Sequence, residues 1–262
     1  MTAEEKTTLF YLINLASDYI RDGHSRGNKD NYTQSEAEEK ATLPLAYMVE
    51  EPSDLADLAG SEVSPEQDSL ETVAAEIRVC EACGLAATRT KTVPGEGAER
   101  PLVMVIGEGP GADEDAAGRP FVGRAGQLLD RMLGSIGLFR GKNCFIANMV
   151  KCRPPGNRDP GPEETAACRA YLERQIALLK PKLILCAGRV ASQNLLKTSK
   201  GINALRGDFI EFKPNSESDV IPVLPTFHPS AILRDESLKR PAWEDLKLLK
   251  SRIESLSAEI EA

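Results

Sequence analysis

Four short apolar runs alternate with helical patterns from about residue 100 onwards, and this alternation restricts the chain to few folds. Runs that are apolar throughout are typical of strands buried on both faces of a parallel sheet. Helices connecting such strands cover both faces. We therefore expect an α/β fold with three layers, α/β/α, around a central, mainly parallel four-stranded sheet. The predicted strands are Leu102–Ile106, Cys144–Asn148, Leu183–Ala187 and Val220–Leu224, and the predicted helices are Ala125–Ile136, Glu163–Leu179, Ala191–Leu196 and Trp243–Ile253.

The N-terminal quarter of the chain has a different composition. Apolar side chains at helical spacing predict a short amphipathic helix within residues 1–22. Residues 23–68 are rich in Glu, Asp, Ser and Asn, and they contain too few apolar residues to offset the entropy of ordering. We expect them to form a disordered acidic linker, followed by a folded domain at residues 69–257. The helix is either a docking element for a protein partner or a marginal helix that packs on its own domain.

Charge is segregated along the chain, whose net charge is −8. Residues 1–25 contain 2 basic and 4 acidic residues, and residues 26–71 contain 3 basic and 12 acidic residues, so residues 72–262 carry a net charge of +3. A mildly basic domain is compatible with a nucleic-acid site in spite of the low overall pI. Six cysteines without a secretory signal, and no apolar run of membrane-spanning length, predict a cytoplasmic protein that is not bound to a membrane.

Four of the six cysteines have a pattern that indicates a metal centre. Cys80 and Cys83 form a C-x₂-C pair, whereas Cys152 follows a predicted strand and Cys168 lies inside a predicted helix. Four thiolates suit either tetrahedral zinc or an iron–sulfur cluster, and their spacing leaves both open. The other two cysteines lie within predicted strands, where a cysteine is usually a small buried hydrophobic residue.

A glycine-rich loop follows the first predicted strand. Gly107-Glu108-Gly109-Pro110-Gly111 has no Lys-Ser/Thr after it, so it lacks the signature of a phosphate-binding P-loop. Its glycines are expected to let backbone amides approach a planar base. Phe121, in the next glycine-rich segment at residues 118–123, is a candidate stacking face for such a base, and the alternative is a phenylalanine of the core.

Two further polar residues follow predicted strands. Asn148 offers both a donor and an acceptor, which suit the edge of a base, although an asparagine at the end of a strand is equally a turn former. His228 begins His228-Pro229-Ser230 and is the one histidine outside the N-terminal leader, where it could also cap a turn. Because ligands bind at the carboxyl ends of parallel strands, these motifs are expected to lie close together.

Taken in order, these segments resemble the family 4 uracil-DNA glycosylases over roughly residues 70–255. The resemblance is carried by residues 107–111, 118–123, 148–155 and 228–230 together with the four cysteines. It implies an enzyme that flips deoxyuridine out of DNA, hydrolyses its N-glycosidic bond and releases uracil, leaving an abasic site. It also implies a structural [4Fe-4S] cluster, whose ligands would be Cys80, Cys83, Cys152 and Cys168.

The resemblance further implies roles for individual residues. The glycine-rich loop would position the attacking water, and Gly109 stands where better-known uracil glycosylases have an aspartate, so we expect Glu108 and Asn157 to hold the water. His228 would donate to uracil O2 as negative charge develops there. The expected catalytic residues are Glu108, Gly109, Glu114, Asn157 and His228, and the expected substrate-binding residues are Gly107, Phe121 and Asn148.

The expected DNA contacts are basic or hydroxyl side chains near these motifs, and the segment at residues 231–234 offers an apolar wedge for the gap left by the flipped base. Residues 153–162 contain no histidine, so the covalent DNA bond of a related branch is not expected. We expect a monomer acting on uracil-containing DNA. The alternative is a non-catalytic iron–sulfur module that binds DNA or assists replication. The predicted DNA-binding residues are Lys151, Arg153, Arg158, Ser230 and Arg234, with Lys239 and Arg240 as further candidates.

Overall fold

The structure, a computed structural model, describes residues 68–214 and 219–261. The predicted helix at residues 1–22, and all of the predicted linker except its last residue, lie outside the described residues. That last residue, Asp68, contacts the domain: Arg174 donates to Asp68 Oδ1 at 2.7 Å and to Asp68 Oδ2 at 3.0 Å. The last residue of the predicted linker therefore forms an ion pair with a residue of the predicted domain.

One mixed sheet forms the centre of the domain. Its strands are β1 (Glu96–Gly97), β2 (Val103–Gly107), β3 (Cys144–Asn148), β4 (Leu183–Ala187), β5 (Ile210–Phe212) and β6 (Ile221–Thr226). The order across the sheet is β1-β3-β2-β4-β6-β5. The four inner strands are parallel, as predicted, but β1 and β5 pair antiparallel at the two edges. The prediction of four strands was wrong because two- and three-residue strands are too short to show a periodic pattern.

Helices cover both faces of this sheet. The α-helices of the described residues are α1 (Leu70–Val79), α2 (Ala112–Ala117), α3 (Arg124–Gly134), α4 (Pro162–Leu179), α5 (Arg189–Leu196), α6 (Ile202–Leu205), α7 (Pro229–Arg234) and α8 (Lys239–Glu261). The Ser69 side chain caps α1 by accepting from Thr72 N at 3.1 Å. Helix α4 begins with Pro162, and Glu164 accepts from Gly161 N at 2.7 Å. No helix in this part of the chain is long and apolar enough to cross a membrane.

Alternate residues of the inner strands supply two separate cores, which confirms the three-layer architecture. On one face, Val103 and Val105 of β2 belong to the same apolar cluster as residues of α3 and α8. On the other face, Met104 and Ile106 of the same strand belong to a cluster with residues of α4 and α5. This two-residue period is what a strand buried on both sides requires. The carboxyl ends of all four inner strands therefore meet at one edge of the sheet.

Candidate active site and cysteine pocket

A cleft of about 490 Å³ opens at the carboxyl edge of the parallel strands. This is the position at which a doubly wound sheet binds its ligands. The loops that follow β2, β3, β4 and β6 all contribute to its walls. The structure thus brings together ten of the residues predicted from sequence: Glu108, Gly109, Glu114, Phe121, Asn148, Asn157, Arg158, His228, Ser230 and Arg234.

The floor of the cleft is tightly packed around Gly107. A Cβ atom at this position would lie 2.4 Å from Asn148 Oδ1 and 2.6 Å from Phe121 Cζ, so only glycine fits between the two side chains. Asn148 is almost fully buried, and its Oδ1 accepts no hydrogen bond from the described residues. A buried acceptor without a partner costs about 1–3 kcal/mol, so it marks a place for a ligand donor.

His228 stands beside this floor, at the N-terminus of α7. Its Nδ1 accepts from the backbone N–H of Ser230 at 3.1 Å, and Ser230 Oγ lies 2.7 Å from the same nitrogen. The backbone bond requires an unprotonated Nδ1, which places the proton of the neutral ring on Nε2. Burial, followed by the charge of Arg234, lowers the pKa of His228 to about 4. The imidazole is therefore a neutral donor at neutral pH.

Two neighbours fix the position of the His228 side chain. The Phe121 ring is tilted by 32° against the imidazole, with 5.6 Å between the ring centroids. Gly188, at the end of β4, has a φ of +100°, and a Cβ there would lie 2.8 Å from His228 Cβ. Glycine is needed at this position both for its backbone conformation and for space.

Glu108 lies in the same cleft and is partly buried. Burial raises its pKa to about 7, and the negative charge of Asp159 acts in the same direction, while Arg189 and Arg234 oppose it. A carboxyl group with a pKa near neutrality can exchange a proton under working conditions, as a general base must.

Glu114 has a different environment from Glu108, although both were predicted to be catalytic. Its Oε2 accepts from Gly111 N at 3.0 Å, and its Oε1 accepts from Val122 N at 2.9 Å and Gly123 N at 3.0 Å. A single carboxylate thus joins the glycine-rich loop to the segment that carries Phe121. This geometry makes Glu114 an organiser of the two loops.

The opposite rim of the cleft is basic. Asn157 Oδ1 accepts from Arg153 Nε at 2.8 Å, and Arg158 donates to both oxygens of Glu164, at 2.8 and 2.6 Å. Arg153 does not line the cleft itself but lies beside it through Asn157. These side chains are partly or fully exposed, so they are accessible to a nucleic-acid backbone.

Lys151 corrects one of the predicted DNA contacts. Its side chain is buried, and its Nζ donates to Asn148 O at 2.9 Å and to Gln175 Oε1 at 2.7 Å. It therefore cannot meet a phosphate and instead stabilises the strand end that carries Asn148. The prediction was wrong because a buried lysine depends on distant partners that the local sequence does not reveal.

Sequence reasoning also missed Arg189 and Asp159, two charged residues that line the cleft. Arg189, at the start of α5, forms an ion pair with Asp159 and donates to Gln193 Oε1 at 3.1 Å. A signal was present, because Arg189 comes two residues after β4, at the sheet edge where every other motif lies.

The four predicted metal ligands surround a second, smaller pocket. Cys80 follows α1, Cys83 precedes a 3₁₀ turn at Gly84–Ala87, Cys152 follows β3, and Cys168 lies in α4. No three His, Cys, Asp or Glu side chains within residues 68–214 and 219–261 are arranged to hold a single metal ion. What the structure shows is therefore a pocket lined by all four thiols.

Two nitrogen donors point at sulfur atoms of this pocket. Arg89 Nη1 lies 3.4 Å from Cys152 Sγ and also donates to Cys80 O at 2.6 Å. The backbone N–H of Lys151 donates to Cys168 Sγ at 3.3 Å. Hydrogen bonds and a positive charge next to sulfur stabilise thiolate ligands and the metal clusters that they hold. The donor set thus fits an anionic, thiolate-bound group.

Comparison with known proteins identifies the family of this chain. Residues 94–247 match the family model of the uracil DNA glycosylase superfamily. A type-4 uracil-DNA glycosylase of Saccharolobus solfataricus is 42% identical over 193 residues, which cover 72% of this chain and 88% of the relative. The protein of the same name from Thermotoga maritima is 42% identical over 190 residues, covering 71% and 96%. That from Archaeoglobus fulgidus is 41% identical over 184 residues, covering 69% and 91%.

Proposed function

We propose a role for each cleft residue, starting from the fact that the chain belongs to the uracil DNA glycosylase superfamily and, within it, to the type-4 enzymes. The chain is a DNA repair glycosylase that hydrolyses the N-glycosidic bond of deoxyuridine, releasing uracil and leaving an abasic site. The observation that carries the division of roles is the buried Oδ1 of Asn148 at the floor of the cleft, which has no hydrogen-bond partner among the described residues.

Asn148 reads the base edge. Its Oδ1 accepts the N3–H of uracil and its Nδ2 donates to O4, so the buried acceptor gains a partner when the base enters. Cytosine has an acceptor at N3 and a donor at N4, which reverses both requirements. Phe121, whose ring packs against Gly107, supplies the stacking face for the base.

His228 stabilises the departing base. Its neutral imidazole donates a hydrogen bond from Nε2 to uracil O2, where negative charge develops as the glycosidic bond breaks. A donor that is fixed in advance, in a site from which water is excluded, loses little energy in reorganisation. The Ser230 bond to Nδ1 supports this role because it keeps the proton on Nε2.

Glu108 holds the attacking water and accepts its proton, with Asn157 on the opposite wall as a second water contact. A pKa near 7 keeps a substantial ionised fraction at neutral pH while leaving the carboxylate basic enough to act. Gly109 contributes only backbone at this point, where its missing side chain avoids Val150 Cγ2, 2.8 Å from the position of a Cβ.

The rim of the cleft binds the DNA backbone through Arg153, Arg158, Ser230, Arg234 and Arg189. Contacts of this kind position the duplex without reading its sequence, and they weaken as salt concentration rises. The exposed Leu233, in the predicted wedge segment, lies on α7 next to this rim.

The cysteine pocket holds a [4Fe-4S] cluster with Cys80, Cys83, Cys152 and Cys168 as ligands. The fit rests on four thiols lining one pocket and on the two N–H donors that point at sulfur. When bound, such a cluster would link α1, the Gly84–Ala87 turn, the loop after β3 and α4 through these four cysteines. We further propose a cytoplasmic monomer, in which a reducing environment keeps these thiols available.

A uracil-release assay tests the assignment. A labelled oligonucleotide with one deoxyuridine is incubated with the parent protein and with Asn148→Leu, which removes both the donor and the acceptor. We expect release by the parent and severe loss by the variant, with similar DNA affinity. Binding of DNA by the parent without release of uracil would favour the alternative, a non-catalytic DNA-binding module.

A further inference from the structure

The backbone of Phe121 has an unusual conformation for a large side chain. Its φ is +52°, in the left-handed region that non-glycine residues enter only at a cost of about 1–3 kcal/mol. The same residue is buried and forms part of the cleft wall, next to Gly107, Asn148 and His228. Such a conformation persists only when its surroundings determine it more strongly than the local backbone preference.

One guanidinium group contacts the backbone on both sides of this residue. Arg140 Nη1 donates to Pro120 O at 2.5 Å, and Arg140 Nη2 donates to Phe121 O at 2.5 Å. Because guanidinium nitrogens lie in a rigid plane, the two bonds fix the relative orientation of consecutive peptide carbonyls. This orientation defines the direction in which the Phe121 side chain leaves the backbone.

Arg140 is itself held by two carboxylates. Its Nη1 also donates to Glu96 Oε1 at 2.8 Å, and its Nε donates to Asp130 Oδ1 at 2.7 Å. Its side chain is only 17% exposed, so these ion pairs are partly shielded from solvent. The short edge strand β1 and helix α3 thus hold the guanidinium from two sides.

Two glycines allow other elements to approach Phe121 closely. A Cβ at Gly126 would lie 1.9 Å from Phe121 O, so the first turns of α3 pack directly against the Phe121 peptide group. On the side of the ring, Gly107 allows a similarly close approach. The backbone of Phe121 therefore lies between α3 and the Arg140 guanidinium, with the ring facing the cleft.

We propose that Arg140 is a positioning residue of the uracil pocket, which acts on the substrate through the backbone of Phe121. It does not line the cleft, yet it holds the aromatic face at the angle and depth at which a flipped base stacks. The inference rests on the stacking role proposed for Phe121.

The variant Arg140→Gln tests this role, with Arg119→Gln as a matched control. Arg119 pairs with the same Glu96, at 2.7 Å, but its hydrogen bonds do not include the carbonyls of Pro120 or Phe121. In single-turnover assays at saturating enzyme, we expect Arg140→Gln to slow uracil excision by about ten- to a hundredfold, as a misplaced contact does. DNA affinity stays within about twofold of the parent value because the rim arginines are unchanged. Arg119→Gln excises uracil at the parent rate.

A double variant separates positioning from a general structural effect. If Arg140 acts through Phe121, then Arg140→Gln slows excision in the parent but not in a Phe121→Leu background, while the melting temperature falls in both. Arg140→Lys keeps the pairing charge and secures a folded protein, and it should show the same dependence on Phe121 with a smaller loss.

Three results would overturn the inference. Equal slowing by Arg140→Gln in both backgrounds would make its effect independent of Phe121. Slow excision by Phe121→Leu, combined with parent rates in folded Arg140→Gln and Arg140→Lys, would leave the stacking role intact and remove Arg140 from it. Excision at the parent rate by Phe121→Leu would overturn the stacking role together with the inference.

Discussion

The two ends of one segment, Asn148–Cys152, line the cleft and the cysteine pocket respectively, but the two sites are built differently. The cleft is formed where four strands of one sheet end, so the sheet itself brings Asn148, Glu108 and His228 together. The cysteine pocket gathers a helix end, a turn, the loop after β3 and a helix interior. None of its four cysteines lies in a strand of the sheet. A site at a sheet edge is assembled by topology, whereas a site between separate elements depends on what it binds.

The largest expected effect is at the cysteine pocket. Cys168→Ser should abolish both cluster and soluble protein, because metal binding at such a site contributes directly to folding. Cys186→Ala is the matched control: Cys186 is fully buried in β4 but does not line the pocket. It should yield folded, yellow-brown protein with iron and sulfide in full. Metal analysis of the parent that found one zinc and no iron would remove the cluster from this comparison.

The next effect concerns chemistry in the cleft, where the fold should survive. His228→Ala should slow single-turnover excision by roughly a hundredfold to a thousandfold, or about 2.7–4 kcal/mol, the usual loss for one oxyanion donor. DNA affinity should change little, since the imidazole acts on charge that appears only in the reaction. An excision rate equal to that of the parent, accompanied by weak DNA binding, would show that His228 positions DNA and does not assist departure of the base.

The pH dependence should distinguish the two titrating groups of the cleft. The pKa of Glu108 is raised to about 7 and its ionised form accepts the proton, so excision should rise with pH and level off above 7. Below that value the rate should fall about tenfold per pH unit. His228, with its pKa lowered to about 4, stays neutral across this range. Glu108→Gln should excise slowly and with a flat profile. A parent profile without a change between pH 6 and 8 would contradict this role.

The smallest effect is expected at Lys151, which lies between the two sites. Lys151→Met removes two buried hydrogen bonds, leaves Asn148 O and Gln175 Oε1 without that donor, and should lower the free energy of unfolding by about 1–3 kcal/mol. The dependence of DNA affinity on salt should not change. Arg158→Gln, the matched variant at the exposed rim, should instead reduce the slope of log affinity against log salt by about 1. A reduced slope for Lys151→Met would restore its predicted phosphate contact.

The contrast between the two regions also explains what could be predicted from sequence. The inner strands were predictable because continuous apolar runs are a local signal. The presence of Glu108 and His228 in one cleft followed from the rule that the carboxyl ends of parallel strands lie at the same edge of a sheet. The four cysteines were found by their spacing and by resemblance. The environment of Arg140 could not be predicted, since its partners lie up to 44 residues away in the sequence. The same holds for Lys151, whose burial depends on Gln175 in a later helix.

The three hydrogen bonds that Glu114 accepts have a consequence for how a nucleotide enters. They join the wall that carries Gly111 to the wall that carries Phe121, so we expect these two loops to move together. The rim is held by two ion pairs with solvent-exposed arginines, Arg158–Glu164 and Arg189–Asp159, and pairs of this kind typically contribute only about 0–1 kcal/mol. If one side of the cleft moves when a base enters, we therefore expect the rim to move more than the two loops joined by Glu114. The two loops that enclose the base would then keep their shape, and the rim that is proposed to bind the phosphates would adapt to the incoming strand.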